Sequence, residues 1–170
     1  VDELYFDHAA TTPCDPRVRA VMLAALEGEN GNPHSTTHAS GRKAAGLVEA
    51  ARAEVADLMG ADPREIIFTS GATEANNLAI KGAARHLAAQ GSPRRRVITL
   101  ATEHKCVLES VRDLAQEGFE PVILPVDTNG RLDPTVLQKA LEVPTALVSI
   151  MAANNETGVV QDLATLAPLV

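Results

Sequence analysis

The sequence predicts an α/β fold, a mostly parallel sheet with helices on both faces, from three observations. Short β-branched apolar runs alternate with longer segments of helical periodicity along most of the chain, the pattern of strands joined by crossover helices. Aromatic residues make up 2% of a sequence that is 45% hydrophobic, so Ala, Val, Leu and Ile must build the core, as suits helices packed on a buried sheet. Polar clusters follow directly after three of the apolar runs, and ligands of parallel sheets sit beyond the carboxyl ends of the strands. With 170 residues, 22% of them charged, the composition is that of an ordinary globular chain with room for one real core.

Residues 1–14 read as an N-terminal arm and 15–170 as the domain. Leu4 to His8 is a short extended candidate leading into the small-residue loop Ala9 to Pro13. Asp15-Pro16 has the N-cap and first-turn chemistry of a helix whose Val18, Val21, Met22, Ala25 and Leu26 share a face, ending near Gly28. Gly31 to Gly41 is a polar loop. His34 and His38 lie four apart within it, but Pro33 argues against a helical metal pair. A second helix spans roughly 42–59, with Leu47, Val48, Ala51, Val55, Leu58 and Met59 inward and Gly60 as its stop.

Ile66-Ile67-Phe68 is expected to be a strand, stopped by a Ser70-Gly71 turn, after which a helix starts with Leu78 and Ile80 on one side. Arg94-Arg95-Arg96 reads as a solvated loop before a strand over 96–101. Val107, Leu108, Val111 and Leu114 trace the helix that follows. Phe119 to Val126 is a third strand, interrupted by prolines that suit an edge or end position. After the Asn129-Gly130 turn, Asp133-Pro134 opens a helix to about Leu141. Thr145 to Met151 is a fourth strand, and a last helix begins near Asp162.

A net charge of -7 argues against a nucleic-acid surface, which needs clustered Lys and Arg. No apolar run approaches the roughly 18 residues of a membrane span, and the start carries no signal-peptide pattern, so a cytoplasmic location is the default. Cys14 and Cys106, without Cys-x-x-Cys spacing, suit a reduced compartment and suggest no metal site.

The polar clusters suggest the chemistry. Strand, glycine turn and helix start, in that order, make an anion cradle at Ser70 to Thr73. Unpaired N–H groups and the helix dipole favour a negative charge there, and a phosphate group is its expected occupant. The alternative is that Gly71 only reverses the chain and Thr73 only caps the helix. His104 can stack on a flat ring and transfer protons near neutral pH, or simply bond to backbone. Asn155 can bond a phenolic oxygen or hold its own turn. Together with the cradle, these groups would suit a phosphorylated aromatic cofactor.

Five stretches carry a resemblance. They are Tyr5 to Pro13; Gly31-Asn32-Pro33 with Ser35 and His38; Phe68 to Gly82; Thr102 to Lys105; and Val148 to Asp162, which contains Asn-Asn-Glu-Thr-Gly-Val-Val-Gln-Asp. With these, in order along nearly the whole chain, the sequence resembles the pyridoxal-phosphate cysteine desulfurases, class V of the fold-type-I aminotransferase superfamily, in the branch that supplies sulfur for iron-sulfur assembly. The resemblance implies an incomplete fold-type-I large domain and pyridoxal 5'-phosphate as cofactor. Ala72 and Thr73 would bind its phosphate and Asn155 its ring oxygen, while His104 would stack on the ring and serve in acid/base steps. The implied reaction takes sulfur from L-cysteine, leaving L-alanine and a persulfide on an enzyme cysteine.

The implied partners are L-cysteine, a second copy in a homodimer or a complementing C-terminal chain, and an iron-sulfur scaffold or other sulfur acceptor. In the family the aspartate on the ring nitrogen, the Ser-x-His-Lys lysine and the sulfur-carrying cysteine come from segments past the point matching Val170. The 170 residues alone are therefore expected to be inactive. Lys105 is not that lysine, because Thr102-Glu103 places it in the stacking-histidine loop, and Cys14 and Cys106 read as small packing residues. Two alternatives stay open: a non-catalytic truncated or split module for cofactor binding or assembly, and another class V aminotransferase or selenocysteine lyase.

Overall fold

The computed structural model describes residues 4–28 and 31–170. Residues 1–3 of the expected arm lie outside the described residues. The chain divides into two compact units, Val1–Phe68 and Thr69–Val170, taken separately below.

In the first unit, α1 (Pro16–Glu27) starts where expected: the Asp15 carboxylate accepts from the Arg17 N–H at 2.8 Å, and Pro16 fills the first turn. Its expected apolar face stays exposed, and α1 buries no residue. Helix α2 (Ala39–Met59) begins three residues before the predicted start, because His38 serves as N-cap through Nδ1, which accepts from the Gly41 N–H at 3.1 Å. Gly60 ends it in the left-handed conformation (φ 65°), which glycine adopts without a Cβ penalty.

The first turn of α2 touches the preceding loop backbone to backbone. A Cβ on Gly41 would stand 1.8 Å from the Ser35 carbonyl oxygen, and one on Gly31 would stand 2.2 Å from that of Ser40. Only glycine fits at either position. Of the inward face expected for α2, Leu47, Ala51, Val55, Leu58 and Met59 are exposed and Val48 is half-buried; the buried apolar residue is Ala56, which that face did not include. Periodicity chooses a face, but burial needs a partner surface.

Two predicted extended segments form no strand. Leu4 to His8 has no ladder; instead the Tyr5 hydroxyl donates to the Asp7 carbonyl at 2.7 Å and the Tyr5 and His8 rings meet edge to face. Ile66 is extended (φ -89°, ψ 124°), but its carbonyl is taken by the Arg52 guanidinium, which also lies over the Phe68 ring. The β conformation is there without a paired neighbour.

The second unit carries a three-stranded parallel sheet in the order β2-β1-β3, built from β1 (Arg96–Leu100), β2 (Glu120–Leu124) and β3 (Thr145–Val148). The proline-bearing strand, β2, lies at an edge as expected, with Pro121 opposite Val97. Helices cover both faces. On one, Ile80 and Ala84 of α3 (Ala72–Ala89) and Val107 and Val111 of α4 (Lys105–Asp113) pack on Val97 with Leu114 and Phe119. On the other, Leu137 and Ala140 of α5 (Pro134–Ala140) and Leu166 of α6 (Leu163–Leu166) pack on Ile98, Leu100 and Leu124. The alternation Val97 against Ile98 is the period-two signature of a strand buried on both sides.

Leu78 does not share the inward side with Ile80. Two residues apart on a helix point about 200° apart, so Ile80 is buried and Leu78 exposed. Of the three arginines, Arg94 is exposed in a loop as expected, while the other two differ. The Arg95 guanidinium lies over the Phe119 ring, and Arg96 opens β1, pairs with Glu120 across the ladder at 2.6 Å and donates to the Ala140 carbonyl. Strand β3 is shorter than the expected 145–151, because the Met151 N–H turns to the Glu103 carboxylate at 2.5 Å.

Candidate functional site

Helix α3 opens without a side-chain cap. Gly71 is its N-cap in extended conformation, and the first N–H with a helical partner is that of Ala75, donating to the Gly71 carbonyl at 3.1 Å. The N–H groups of Ala72, Thr73 and Glu74 meet no acceptor among the described residues. A Cβ on Gly71 would touch nothing within 4 Å, so the space over the turn is open. The Thr73 hydroxyl is uncommitted, while its carbonyl accepts from the Asn77 amide at 2.9 Å. Ser70, by contrast, is engaged: its N–H and Oγ both donate to one Glu74 carboxylate oxygen, at 2.7 and 2.6 Å. The Ser70 hydroxyl and then its N–H hold the Glu74 carboxyl below its ordinary range. This terminus thus already accepts one anion on one side and leaves three donors free on the other.

Helix α4 begins at the carboxyl end of β1 and is closed by its own histidine. His104 is the N-cap, and its Nδ1 accepts from the Cys106 N–H at 3.2 Å. A nitrogen that accepts from a backbone N–H carries no proton itself, so the ring is the Nε2–H tautomer. The imidazole is exposed and Nε2 has no partner among the described residues.

Thr73 and His104 line one concavity of about 490 Å3, together with Asn77, Lys81, Lys105, Cys106, Glu109, Ser110 and Asp113. The Lys81–Asp113 ion pair at 2.7 Å ties α3 to α4 along its wall. The site residues expected from the sequence divide accordingly. Thr73 and His104 come together, and Ala72 precedes Thr73 in the open first turn. Asn155 sits exposed in the loop after β3, has no hydrogen-bond partner among the described residues, and does not line this concavity.

Asn154 is the structural member of that pair. Its amide nitrogen donates to the Thr102 carbonyl at 2.8 Å, and its Oδ1 accepts from the N–H groups of Glu156 and Thr157. Buried Glu103 makes the parallel tie to Met151, so the loops after β1 and β3 are joined twice. Burial raises the Glu103 carboxyl above its ordinary range, against the opposing effect of the Met151 N–H.

Several residues of the site were not singled out from the sequence. Glu74 at the fourth position after Ser70 was a signal in plain view, since an acidic residue in a first turn reaches back to the residues before the helix. Cys106 stands two residues after the capping histidine, and its sulfur does more than pack: it lies 3.0 Å from His104 Nδ1 and accepts from the Asn76 amide at 3.2 Å. That contact joins residues 30 apart in sequence, which local pattern does not reveal. Among the described residues no group of three or more His, Cys, Asp or Glu is placed to hold a metal, and no helix is long and apolar enough to cross a membrane.

Comparison with known proteins places this site in context. The model of the aminotransferase class-V family matches residues 4–170. A mitochondrial cysteine desulfurase from Arthroderma benhamiae is 54% identical over 160 residues, covering 94% of this chain and 32% of that protein. Among solved structures, a NifS-like protein superposes with a TM-score of 0.90 at 40% identity, over 98% of this chain and 45% of that one. SspA in complex with cysteine gives 0.86 at 36% identity, over 97% of this chain and 46% of that one. The chain thus spans about a third of the curated relative it matches.

Proposed function

The chain belongs to the aminotransferase class-V family, and from that membership we propose that its residues form the cofactor-anchoring part of a pyridoxal-phosphate-dependent cysteine desulfurase. One observation carries the proposal: an open helix N-terminus with an uncommitted Thr73, and a histidine with a free Nε2, line the same concavity. The donor set suits a phosphate group. Three N–H groups and a hydroxyl are unsatisfied, and the absent side chain of Gly71 leaves room above them. Pyridoxal phosphate, when bound, supplies an electron sink for the amino-acid substrate.

This chain's residues do the rest of the work assigned to it. Ala72 and Thr73 hold the phosphate through their N–H groups, Thr73 also through its hydroxyl. His104 presents its ring to the cofactor and passes protons through Nε2, since Nδ1 is engaged by the Cys106 N–H. Asn155, exposed in the loop after β3 and outside the lining of this concavity, would contact the ring oxygen. The substrate is L-cysteine, the products L-alanine and a persulfide on an enzyme cysteine. A relative solved in complex with cysteine supports that choice of amino acid. Pairing with a second copy and sulfur delivery to an iron-sulfur scaffold belong to the same proposal. Both cysteines are unpaired, which suits a reducing compartment, in our reading the cytosol.

The test uses the full-length protein. It is expected to retain pyridoxal phosphate through purification and to release alanine from L-cysteine, with release lost in His104→Ala. A protein that neither retains the cofactor nor releases alanine when pyridoxal phosphate is supplied overturns the proposal.

A further inference from the structure

His104 is held by more than its own helix. Its Nδ1 faces two donors, the Cys106 N–H at 3.2 Å and the Cys106 sulfur at 3.0 Å. The sulfur in turn accepts from the Asn76 side-chain amide of α3 at 3.2 Å. Because Nδ1 already accepts from a backbone N–H, it has no proton to give the sulfur, so the thiol hydrogen is what points at the ring. Asn76 occupies a sulfur lone pair and leaves the S–H free to make that contact. The order of donation runs from Asn76 through Cys106 to His104, from the flank of one site helix to the cap of the other.

We propose that Cys106 and Asn76 are positioning residues that hold the His104 imidazole in the Nε2–H tautomer and at a fixed tilt, so that Nε2 is the nitrogen available to the concavity. The proposal deepens the desulfurase reading and rests on it for its use in the reaction, though the geometry is that of the chain alone. Thiol and amide are a suitable pair for this task. The half-buried sulfur packs against the core made by Val107 and Val111 while its hydrogen orients the ring, and both groups are neutral donors that add no charge beside a proton-transfer group. The charged groups around the ring are Glu103 and Lys105 on its own loop and helix, Lys81 from α3, and Glu109 and Asp113 further along α4, with Lys81 and Asp113 paired to each other.

The readout is the tautomer itself, in full-length protein labelled with 15N in its histidine rings and free of cofactor. Long-range proton-nitrogen correlation spectra at about pH 8, above the ordinary histidine range, give the two ring-nitrogen signals. The His104 pair is assigned by its absence in His104→Gln. The wild-type spectrum is expected to show Nδ1 unprotonated. Cys106→Ala keeps the backbone N–H but removes the thiol, and should lower the ratio of Nε2–H to Nδ1–H forms about 3- to 10-fold, the scale of one lost hydrogen bond. Cys106→Ser should restore it.

Asn76→Ala leaves Cys106 in place and should lower the ratio about 2-fold, which keeps the proposal testable if Cys106→Ala misfolds. A ratio unmoved by Cys106→Ala or by Asn76→Ala, or one that Cys106→Ser fails to restore, overturns the proposal. A Cys106-dependent tautomer in a protein that, assayed separately with pyridoxal phosphate supplied, neither retains the cofactor nor releases alanine from L-cysteine supports the positioning and overturns the desulfurase reading instead.

Discussion

The two helix N-termini that wall the concavity solve the same problem in opposite ways. Every helix begins with N–H groups that lack partners. At α3 the cap is Gly71, which has no side chain, and the first three N–H groups stay open. At α4 the cap is His104, whose ring takes the Cys106 N–H. An open terminus is a binding site for an anion from outside; a closed one spends its donor on fixing a side chain. The difference shows why glycine and histidine cannot exchange roles here. A self-capped α3 would compete with the phosphate proposed for it, and an uncapped α4 would leave the imidazole without an anchor.

The largest expected effect comes from closing the open terminus. Gly71→Asp supplies α3 with a carboxylate cap at the place expected for the phosphate. It should weaken retention of pyridoxal phosphate about 100-fold, the scale of losing charge-assisted bonds and gaining a like charge. Equilibrium dialysis against the cofactor measures this, and unchanged binding would erase the contrast between the two termini. The next effect loosens the closed one from the sheet. Glu103→Ala leaves the Met151 N–H without its acceptor and should lower unfolding stability in urea by about 1–3 kcal/mol, whereas Glu103→Gln, which keeps an acceptor oxygen, should lose far less.

A smaller change sharpens the comparison from the open side. Thr73→Ala removes the uncommitted hydroxyl but no N–H, and should weaken cofactor retention about 3- to 10-fold, with unchanged stability as its control. The smallest effect is in the pH dependence, where the glutamates beside the two termini should act with opposite sign.

Glu74, held below its ordinary value of 4.5 by Ser70, contributes stability present above that value and lost as pH falls through its folded pKa. Glu103, raised above 4.5 by burial, contributes stability present below that value and lost as pH rises through its folded pKa. Unfolding midpoints of Glu74→Gln and Glu103→Gln, followed between about pH 3 and 7, should therefore diverge from wild type in opposite directions. Shifts of the same sign would mean that the two carboxyls do not differ as described.

Much of this was legible in the residues. Asp15-Pro16 and Asp133-Pro134 announced their helices because capping is a local bond between one carboxylate and the backbone N–H two residues on. Gly60 announced an end for the same kind of reason. The Ser70 to Thr73 and His104 clusters were read as lying after strands and before helices: both precede helices, and His104 follows β1, but no strand precedes Ser70. That Ile66 to Phe68 forms no ladder was not legible, because Ile66 is extended while a ladder depends on what lies beside it. The role of Arg96 was hidden as well: a basic run looks solvated until Glu120 stands across the ladder.

What the sequence determined by itself is therefore local: where helices start and stop, where apolar strand candidates run, and that a glycine turn and a histidine sit at helix starts. The tertiary structure alone decided which of these groups share a concavity. It put Thr73 and His104 on the wall of one concavity whose lining does not include Asn155, and laid the Asn76 amide on the Cys106 sulfur from 30 positions away. The physical reason is range. Caps and turns are settled by neighbours along the chain, whereas a shared site is settled by how two helices pack on one sheet face, here through Ile80, Ala84, Val107 and Val111.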